Sequence, residues 1–339
     1  MQTHRSLRPV IVLASLLALV AVACGGGATS SPTTASSQPP GTTDPSTSSE
    51  ALTIGIVRFS GTDVFSNSSA QGTAQYAQDH GWKVIDVDAQ GSVDQMNSAI
   101  TNFVTAGADV IYAGVFPTDA LQGGIATAIE AGVPVANWGG GLGTGVSIAA
   151  DIGPVMGDPI AERVVSDMGG EGAILVLGYR PGLPCQGRET SLLSALDGTN
   201  IEVTQQQITI PGQVDSALQA TLGWAAAHPV GSASKLAVWS CFDDPASGAV
   251  AALRQLERSD ILTYGINGTA DAVALIQAGE LTATVWIDGF AQGQELARLL
   301  AQAVDEGSAF EPIEIGGTTI IVDASNVAQF LVDHPELAK

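Results

Sequence analysis

The chain has 339 residues, of which 45% are hydrophobic, and its 12 Lys and Arg against 34 Asp and Glu give a formal net charge of −22. This length suffices for two lobes with separate cores. The net negative charge repels phosphate backbones and therefore argues against nucleic-acid binding. It favours solubility outside the cell, but it does not identify a ligand.

The first 51 residues divide into an export signal and a linker. Residues 1–23 predict a signal peptide, because a basic start precedes an apolar run at residues 10–22 that is too short to cross a membrane comfortably. The run ends in Ala21-Val22-Ala23-Cys24, which resembles a bacterial lipobox; the alternative is an ordinary signal peptide with a chance cysteine. Residues 24–51 then add a Gly, Ser, Thr and Pro linker that cannot fold by itself. We expect an exported protein anchored to the outer face of the cell membrane through a lipidated Cys24.

Two cysteines remain once Cys24 is assigned to lipid. Cys185 and Cys241 each follow a predicted strand end, and neighbouring strands would bring them together at one rim of a sheet. In an exported protein such a pair predicts a disulfide, the alternative being two free thiols.

From residue 52 onward, short β-rich apolar runs alternate with helical patterns. A strand, a polar turn and a helix that stops at Gly81 form the first unit, and the unit then recurs. Strands are predicted at residues 53–57, 82–87, 108–112, 133–137, 173–177, 201–208, 236–239, 261–264, 283–286 and 318–322. Helices are predicted at residues 65–78, 93–105, 118–130, 154–168, 186–196, 214–227, 245–256, 270–278 and 290–305.

This alternation predicts an α/β protein with parallel sheets. Two βαβ series of similar size predict two Rossmann-like, doubly wound lobes with a ligand between them, since loops at the carboxyl ends of the strands would face a cleft. The glycine-rich residues 139–145 lack the spacing of a dinucleotide or phosphate loop, so we interpret them as a flexible connection.

Aromatic residues are scarce, at 5% of the chain, yet six of them fall at or just after strand ends. One such residue alone would be explained equally well by packing at the rim of a sheet. The set favours stacking on a ligand, because flat aromatic rings suit the C–H faces of sugars. The six residues are Phe65, Phe116, Trp138, Tyr179, Phe242 and Trp286.

For the charged residues near the predicted cleft, a structural role is an alternative to ligand contact. Arg188 offers five fixed donors to a ligand, or it forms a surface ion pair with a neighbour such as Glu189. Asp243 and Asp244 precede Pro245, so one of them is expected to cap a helix while the other faces the cleft.

Catalytic and metal-binding patterns are missing from the sequence. The four histidines are scattered, there is no H-x-x-x-H or G-x-S-x-G, and Asp86 and Asp88 are best explained as loop structure. We therefore predict no enzymatic activity, no metal and no cofactor.

Several motifs, in their order and spacing, carry a resemblance that covers residues 52–322. They resemble type I periplasmic binding proteins of the ribose/galactose branch of sugar ABC importers. The motifs are Thr53-Ile54-Gly55-Ile56-Val57, Val115-Phe116-Pro117-Thr118-Asp119, Val133-Pro134-Val135, Asp243-Asp244-Pro245, Tyr264-Gly265-Ile266-Asn267-Gly268-Thr269-Ala270-Asp271 and Gly279-Glu280-Leu281-Thr282-Ala283-Thr284-Val285.

The resemblance implies a monomer whose chain crosses between lobes three times and closes by bending at this hinge. It places residues 52–151 with 288–315 in an N-terminal lobe, and residues 152–287 with 316–339 in a C-terminal lobe.

The resemblance also implies a set of ligand contacts. Phe65 matches an aromatic that stacks on the sugar, and Arg188 matches an arginine that donates to hydroxyls. Two positions depart from the family, because Trp138 replaces part of an Asp-Arg pair and Phe116 stands where Asn is common. These departures predict a more aromatic pocket, for a larger sugar, a polyol or a partly apolar ligand. The remaining implied contacts are Thr62, Asp63, Asp243 or Asp244, Asn267, Trp286 and Asp288.

The resemblance implies a solute-binding lipoprotein that captures a sugar or sugar-like molecule between its lobes and delivers it to a membrane permease. A second hypothesis is a sensor subunit that presents the closed state to a membrane receptor. A third, an α/β enzyme, lacks a catalytic constellation.

Overall fold

The computed structural model describes residues 51–339 and contains twelve strands and ten α-helices there. The predicted signal peptide, Cys24 and residues 24–50 of the linker lie outside the described residues. The strands are β1 (Thr53–Arg58), β2 (Lys83–Asp88), β3 (Val110–Gly114), β4 (Val135–Trp138), β5 (Ile148–Ala150), β6 (Glu171–Gly178), β7 (Asn200–Gln207), β8 (Leu236–Ser240), β9 (Ile261–Tyr264), β10 (Ala283–Trp286), β11 (Ile313–Ile315) and β12 (Ile320–Asp323). The helices are α1 (Val64–Asp79), α2 (Val93–Thr105), α3 (Gln122–Ala131), α4 (Pro154–Met168), α5 (Leu183–Leu196), α6 (Gln213–Ala227), α7 (Asp243–Gln255), α8 (Ala270–Gln277), α9 (Gly289–Glu306) and α10 (Val327–Asp333).

The strands form two six-stranded sheets with the same winding. The first has the order β11-β5-β4-β3-β1-β2, and its neighbouring strands are parallel. The second has the order β12-β10-β9-β8-β6-β7 and is parallel except for β12, which runs antiparallel to β10. In each sheet the chain starts in the interior, adds one strand on one side and then continues on the other. The predicted fold class of two doubly wound α/β lobes is confirmed.

The chain passes between the two sheets three times. The passages lie between β5 and α4, between β10 and α9, and between β11 and β12. They are short, and the first and third run side by side where Asp151 donates its backbone N–H to the carbonyl of Ile315 at 2.9 Å. Short parallel passages of this kind allow two lobes to rotate against each other while each keeps its own core.

Burial explains why the strand segments have so few polar residues. All five residues of β3 are buried, and Ile54, Ile56 and Val57 of β1 have no exposed surface, as expected for strands covered by helices on both faces. Gly55 has a separate role, because any Cβ at this position would overlap the ring of Phe103 in α2. The missing side chain lets α2 pack directly on the strand.

The predicted elements agree with most of the structure. Helices α2 and α4 and strands β9 and β10 have the predicted bounds, whereas the predicted helix at residues 118–130 begins as a short 3₁₀ turn, Thr118–Leu121, before α3. Three elements were missed: β5, β11 and α10. Two of them are three-residue strands next to glycine-rich or proline-containing loops, too short for a periodic pattern to show.

Cys185 and Cys241 are joined in a disulfide, with their Cα atoms 5.2 Å apart. Cys185 lies in the first turn of α5 and Cys241 directly follows β8. Because β6 leads into α5 and is the neighbour of β8, the sheet brings the two cysteines to the same rim.

Helices α1 and α9 pack unusually closely in the first lobe. A Cβ at Gly72 would overlap the carbonyl oxygen of Phe290, and one at Gly293 would overlap that of Ser69. The approach allows the Thr73 hydroxyl to donate to the carbonyl of Gly293 at 2.9 Å. Since α9 comes from a distant part of the chain, this contact fastens the second segment of the lobe to the first helix.

We predict that Gly293→Ala destabilises the protein by roughly 1–3 kcal/mol, because the added methyl group must push the two helices apart. Gly223→Ala is the matched control: Gly223 also lies within a helix, α6, but has open space around it. The control should stabilise the helix by up to about 1 kcal/mol. Urea unfolding of both variants measures the difference, and equal effects would contradict the close packing.

Candidate functional site

A cavity lies between the carboxyl ends of the two sheets. Its walls come from loops that follow β1, β3 and β4 in the first lobe and β6, β8 and β9 in the second. It is a small cavity, with a volume of about 30 Å³. The lobes therefore stand close together, and a sugar-sized molecule needs them to separate before it can enter. The residues that line the cavity and matter most here are Phe59, Asp63, Phe65, Val115, Trp138, Tyr179, Arg188, Phe242 and Asn267.

Five aromatic rings line the cavity. Phe65 and Trp138 meet edge to face with ring centroids 5.0 Å apart, and Phe59 meets Tyr179 of the other lobe at 6.0 Å. Trp138 is held in place because its indole N–H donates to Gln292 Oε1 at 3.0 Å. Such rigid rings suit the apolar face of a sugar or polyol.

Arg188 is buried, and its donors face the protein rather than open space. Its Nε–H donates to the carbonyl of Ile152 at 2.9 Å, its Nη1 donates to the carbonyl of Cys241 at 2.7 Å, and its Nη2 lies 3.2 Å from the sulfur of Met156. Burial lowers the pKa of Arg188 to about 10, while the negative charge of Asp63 opposes that shift. The guanidinium therefore supports the passage at Ile152 and the disulfide rim as well as the cavity wall.

Asp63 is the N-cap of α1. Its Oδ1 accepts the backbone N–H of Ser66 at 3.3 Å. Burial raises the pKa of its carboxyl above the usual range, and the hydrogen bonds from Ser66 and the charge of Arg188 only partly oppose this. Asp63 thus brings a poorly compensated carboxyl group to the cavity.

Asn267 supplies an unpaired oxygen. Its backbone has φ of 130°, in the region that favours glycine, and its buried Oδ1 has no hydrogen-bond partner among the described residues. An unpaired buried amide oxygen costs free energy unless a ligand or water supplies a donor. We attribute this conformation to the site, because Asn267 lines the cavity.

Asp243 holds the loop of Asn267 instead of lining the cavity. Its Oδ2 accepts the backbone N–H of Thr269 at 2.8 Å and its Oδ1 accepts the hydroxyl of Thr284 at 2.7 Å. Both oxygens are thus used within the second lobe, and burial raises the pKa of this carboxyl.

Besides Asp243, four predicted contacts do not line the cavity. Phe116 is fully buried behind Phe59, with ring centroids 5.1 Å apart. Trp286 packs against Phe330 and His334 near α10. Asp288 is exposed and caps α9, where its Oδ1 accepts the N–H of Ala291 at 2.9 Å. Thr62 lies at the rim.

At the rim, Gln213 joins the two lobes. Its Nε2 donates to the carbonyl of Thr62 in the first lobe at 3.1 Å and to Asp244 Oδ2 in the second at 3.0 Å. We call Thr62, Gln213 and Asp244 the Gln213 bridge. A second contact between lobes is the backbone N–H of Leu183, which donates to the carbonyl of Val115 at 2.9 Å.

Three residues of this arrangement were missed by sequence reasoning: Phe59, Val115 and Gln213. Phe59 directly follows β1 and was available to the same strand-end argument as the other aromatics. No signal marks Gln213, because its role depends on how closely the two lobes approach.

Asp88 serves loop structure, as expected, whereas Asp86 lies within β2 and pairs with the neighbouring strand β1. Asp86 accepts Arg58 Nε–H at 2.8 Å, and Asp88 accepts the backbone N–H of Gly61 at 3.0 Å. Within residues 51–339, no group of three or more His, Cys, Asp or Glu side chains is arranged to hold a metal ion. No helix in the same part of the chain combines the length and apolar character needed to cross a membrane.

Two doubly wound lobes that face each other across a lined cavity define the class of two-lobed ligand-binding proteins. The chain belongs to the periplasmic binding protein domain family, whose model matches residues 54–308. The resemblance found in the sequence is confirmed.

The chain is similar to several relatives over most of its length. It is 28% identical over 270 residues to the ribose import binding protein RbsB of Bacillus subtilis (strain 168), covering 77% of this chain and 83% of that protein. It shares its fold with an ABC transporter solute binding protein from Agrobacterium vitis with bound allitol, at TM-score 0.77 and 22% identity over 83% of this chain and 98% of the other. It also shares it with one from Bacillus halodurans C-125 with bound myo-inositol, at TM-score 0.72 and 20% identity over 83% and 98%.

The Gln213 bridge predicts a pH effect on stability. Burial raises the pKa of Asp244 to about 7, and the charges of Asp63 and Asp243 add to the shift. The folded state then holds a proton that the unfolded state releases near pH 4, so the contribution of this group to stability falls as pH rises from about 4 to about 7.

We therefore expect Asp244→Asn to gain stability over the original protein as pH rises through that window, on the order of 1–3 kcal/mol at pH 8. Asn keeps an acceptor for Gln213 Nε2 but cannot ionise. Thermal unfolding of both proteins at pH 5 and pH 8 measures the gain. A difference that stays the same at the two pH values would show that Asp244 titrates normally.

Proposed function

We propose that this protein is the solute-binding component of an ABC importer, capturing a sugar or polyol between its lobes and delivering it to a membrane permease. The observation that carries this proposal is the aromatic cavity at the facing carboxyl ends of two doubly wound sheets. Family membership supports it, as do relatives whose names or bound ligands are ribose, allitol and myo-inositol.

In this proposal, residues 52–151 with 288–315 and residues 152–287 with 316–339 move as two lobes about the three passages. The ligand enters when the lobes separate, and the Gln213 bridge reforms when they close. Phe65, Trp138 and Tyr179 pack on the carbon faces of the ligand, while Asp63 and Asn267 accept its hydrogen bonds. Arg188 keeps the cavity wall in place and offers its remaining N–H groups.

The proposal assigns binding and no covalent chemistry to the site. It includes export and attachment to the outer face of the cell membrane through a lipidated Cys24, with the linker as a tether. It also includes a monomeric protein, because both walls of the cavity come from one chain.

The proposal predicts that one class of sugars or polyols raises the thermal unfolding temperature of the purified protein. A ligand at 100 times its Kd adds about 2.7 kcal/mol of stability. Phe65→Ala should abolish most of this shift, since the ring packs on the cavity.

Trp286→Phe is the control for this experiment. Trp286 was a predicted contact, but it packs against α10, so we expect the ligand shift to survive this substitution. Loss of the ligand-induced shift in the control variant alone would show that the ligand binds outside the cavity. No shift with any sugar or polyol would contradict the proposed function.

A further inference from the structure

The polar lining of the cavity contains acceptors without partners, and three of the five N–H groups of Arg188 are already used. Each nitrogen of Arg188 is already directed at the carbonyl of Ile152, the carbonyl of Cys241 or the sulfur of Met156. Asn267 Oδ1 is buried with no partner among the described residues, and Asp63 accepts only at Oδ1 there. A sugar hydroxyl both donates and accepts, whereas an ammonium group has three donors and no acceptor. An ammonium group has enough donors for both acceptors, whereas a single hydroxyl has one.

The apolar lining points to the same chemistry. Rings of both lobes surround the two acceptors, and Trp138 presents only carbon surface because its N–H is used by Gln292. A cation near aromatic rings is attracted by their quadrupoles, and desolvation strengthens the effect. The rings are those of Phe59, Phe65, Trp138, Tyr179 and Phe242.

The charge around the cavity is also unbalanced. The charges of Asp63, Asp243 and Asp151 act on Arg188, and those of Asp63 and Asp243 also act on Asp244, so several carboxyl groups stand against one guanidinium. Asp243 is satisfied by Thr269 and Thr284, and Asp244 by Gln213.

Only Asp63 faces the cavity without comparable partners. Burial holds its pKa above the usual range, because the attraction of Arg188 does not repay the loss of hydration. The neighbouring phenols of Tyr112 and Tyr179 also stay neutral, since burial raises their pKa. They add no charge, so a cation from outside would be the missing partner of Asp63.

From these contacts we infer that the ligand is a sugar or polyol bearing one ammonium group, which Asp63 and Asn267 Oδ1 accept while the aromatic rings enclose it. This inference rests on the proposed function and narrows it. The carbon skeleton with its hydroxyls fills the space that opens as the lobes separate, and the ammonium group lies on the side of α1.

Matched pairs of compounds test the inference by titration calorimetry on the whole protein. The pairs are D-glucosamine with D-glucose, and 1-amino-1-deoxy-D-sorbitol with D-sorbitol, with N-acetyl-D-glucosamine as a neutral compound of larger size. We expect at least one amine to bind about tenfold or more tightly than its neutral partner, since one ion pair in a desolvated site suffices for such a ratio.

Two variants separate the role of Asp63 from net charge and folding. Asp63→Asn keeps a good N-cap for α1 but removes the negative charge, so it should weaken binding of the amine about tenfold more than it weakens binding of the neutral partner. Asp109→Asn removes one charge at the opposite end of the first sheet, where Asp109 accepts the N–H of Thr53, and should change neither.

Neutral compounds that bind as tightly as the amines would overturn the inference and leave the proposed function standing. Equal weakening of both partners by Asp63→Asn would also overturn it. Saturable binding of no compound in either series would defeat the inference and the proposed function together.

Discussion

The buried guanidinium of Arg188 is the contact on which the other features of the site depend. It donates to the carbonyl of Ile152, in the first passage between the lobes, and to the carbonyl of Cys241, in the disulfide. A buried cation is tolerated when its donors find partners, and here two backbone carbonyls and the sulfur of Met156 take three of the five N–H groups. One side chain thereby fixes the passage, the rim of the second sheet and the wall of the cavity relative to each other.

Closure of the lobes forms the cavity and also limits its volume. Few polar groups join the lobes at the cavity, namely the Gln213 bridge and the bond from Leu183 to Val115, and the rings of Phe59 and Tyr179 add an aromatic contact. Contacts between aromatic rings are less directional than hydrogen bonds. Rings such as Phe59 and Tyr179 can therefore give up their contact with each other and pack on the carbon face of a ligand at little cost in free energy. The balance between ring–ring and ring–ligand contact then sets how far the protein stays closed without ligand.

Much of the fold and part of the site could be predicted from the sequence. Alternating strand and helix patterns predicted both sheets. The family resemblance placed Arg188 at the cavity, and the strand-end argument placed Phe65 and Trp138 there. The same argument failed for Phe116 and Trp286, because a position at a strand end does not decide which way the side chain points. Phe116 lies behind Phe59, and Trp286 faces α10.

The remaining errors have separate physical causes. Asp243 looked like a ligand contact, yet its two oxygens are taken by Thr269 and Thr284, and hydrogen bonds of that kind leave no pattern in one sequence. Gln213 could not be found at all, because its importance arises only from the distance between two lobes. The short strands β5 and β11 depend on pairing with each other and not on their own composition.

The interleaved chain has a consequence for how the protein is made. The first lobe includes α9 and β11, and Thr73 bonds to Gly293 across 220 residues of sequence. This lobe cannot be completed until nearly the whole polypeptide has been synthesised, so folding from the N-terminus onward, domain by domain, is blocked. A chain that must stay unfolded while it is translocated gains from such a delay, since its first half has no finished structure to unravel.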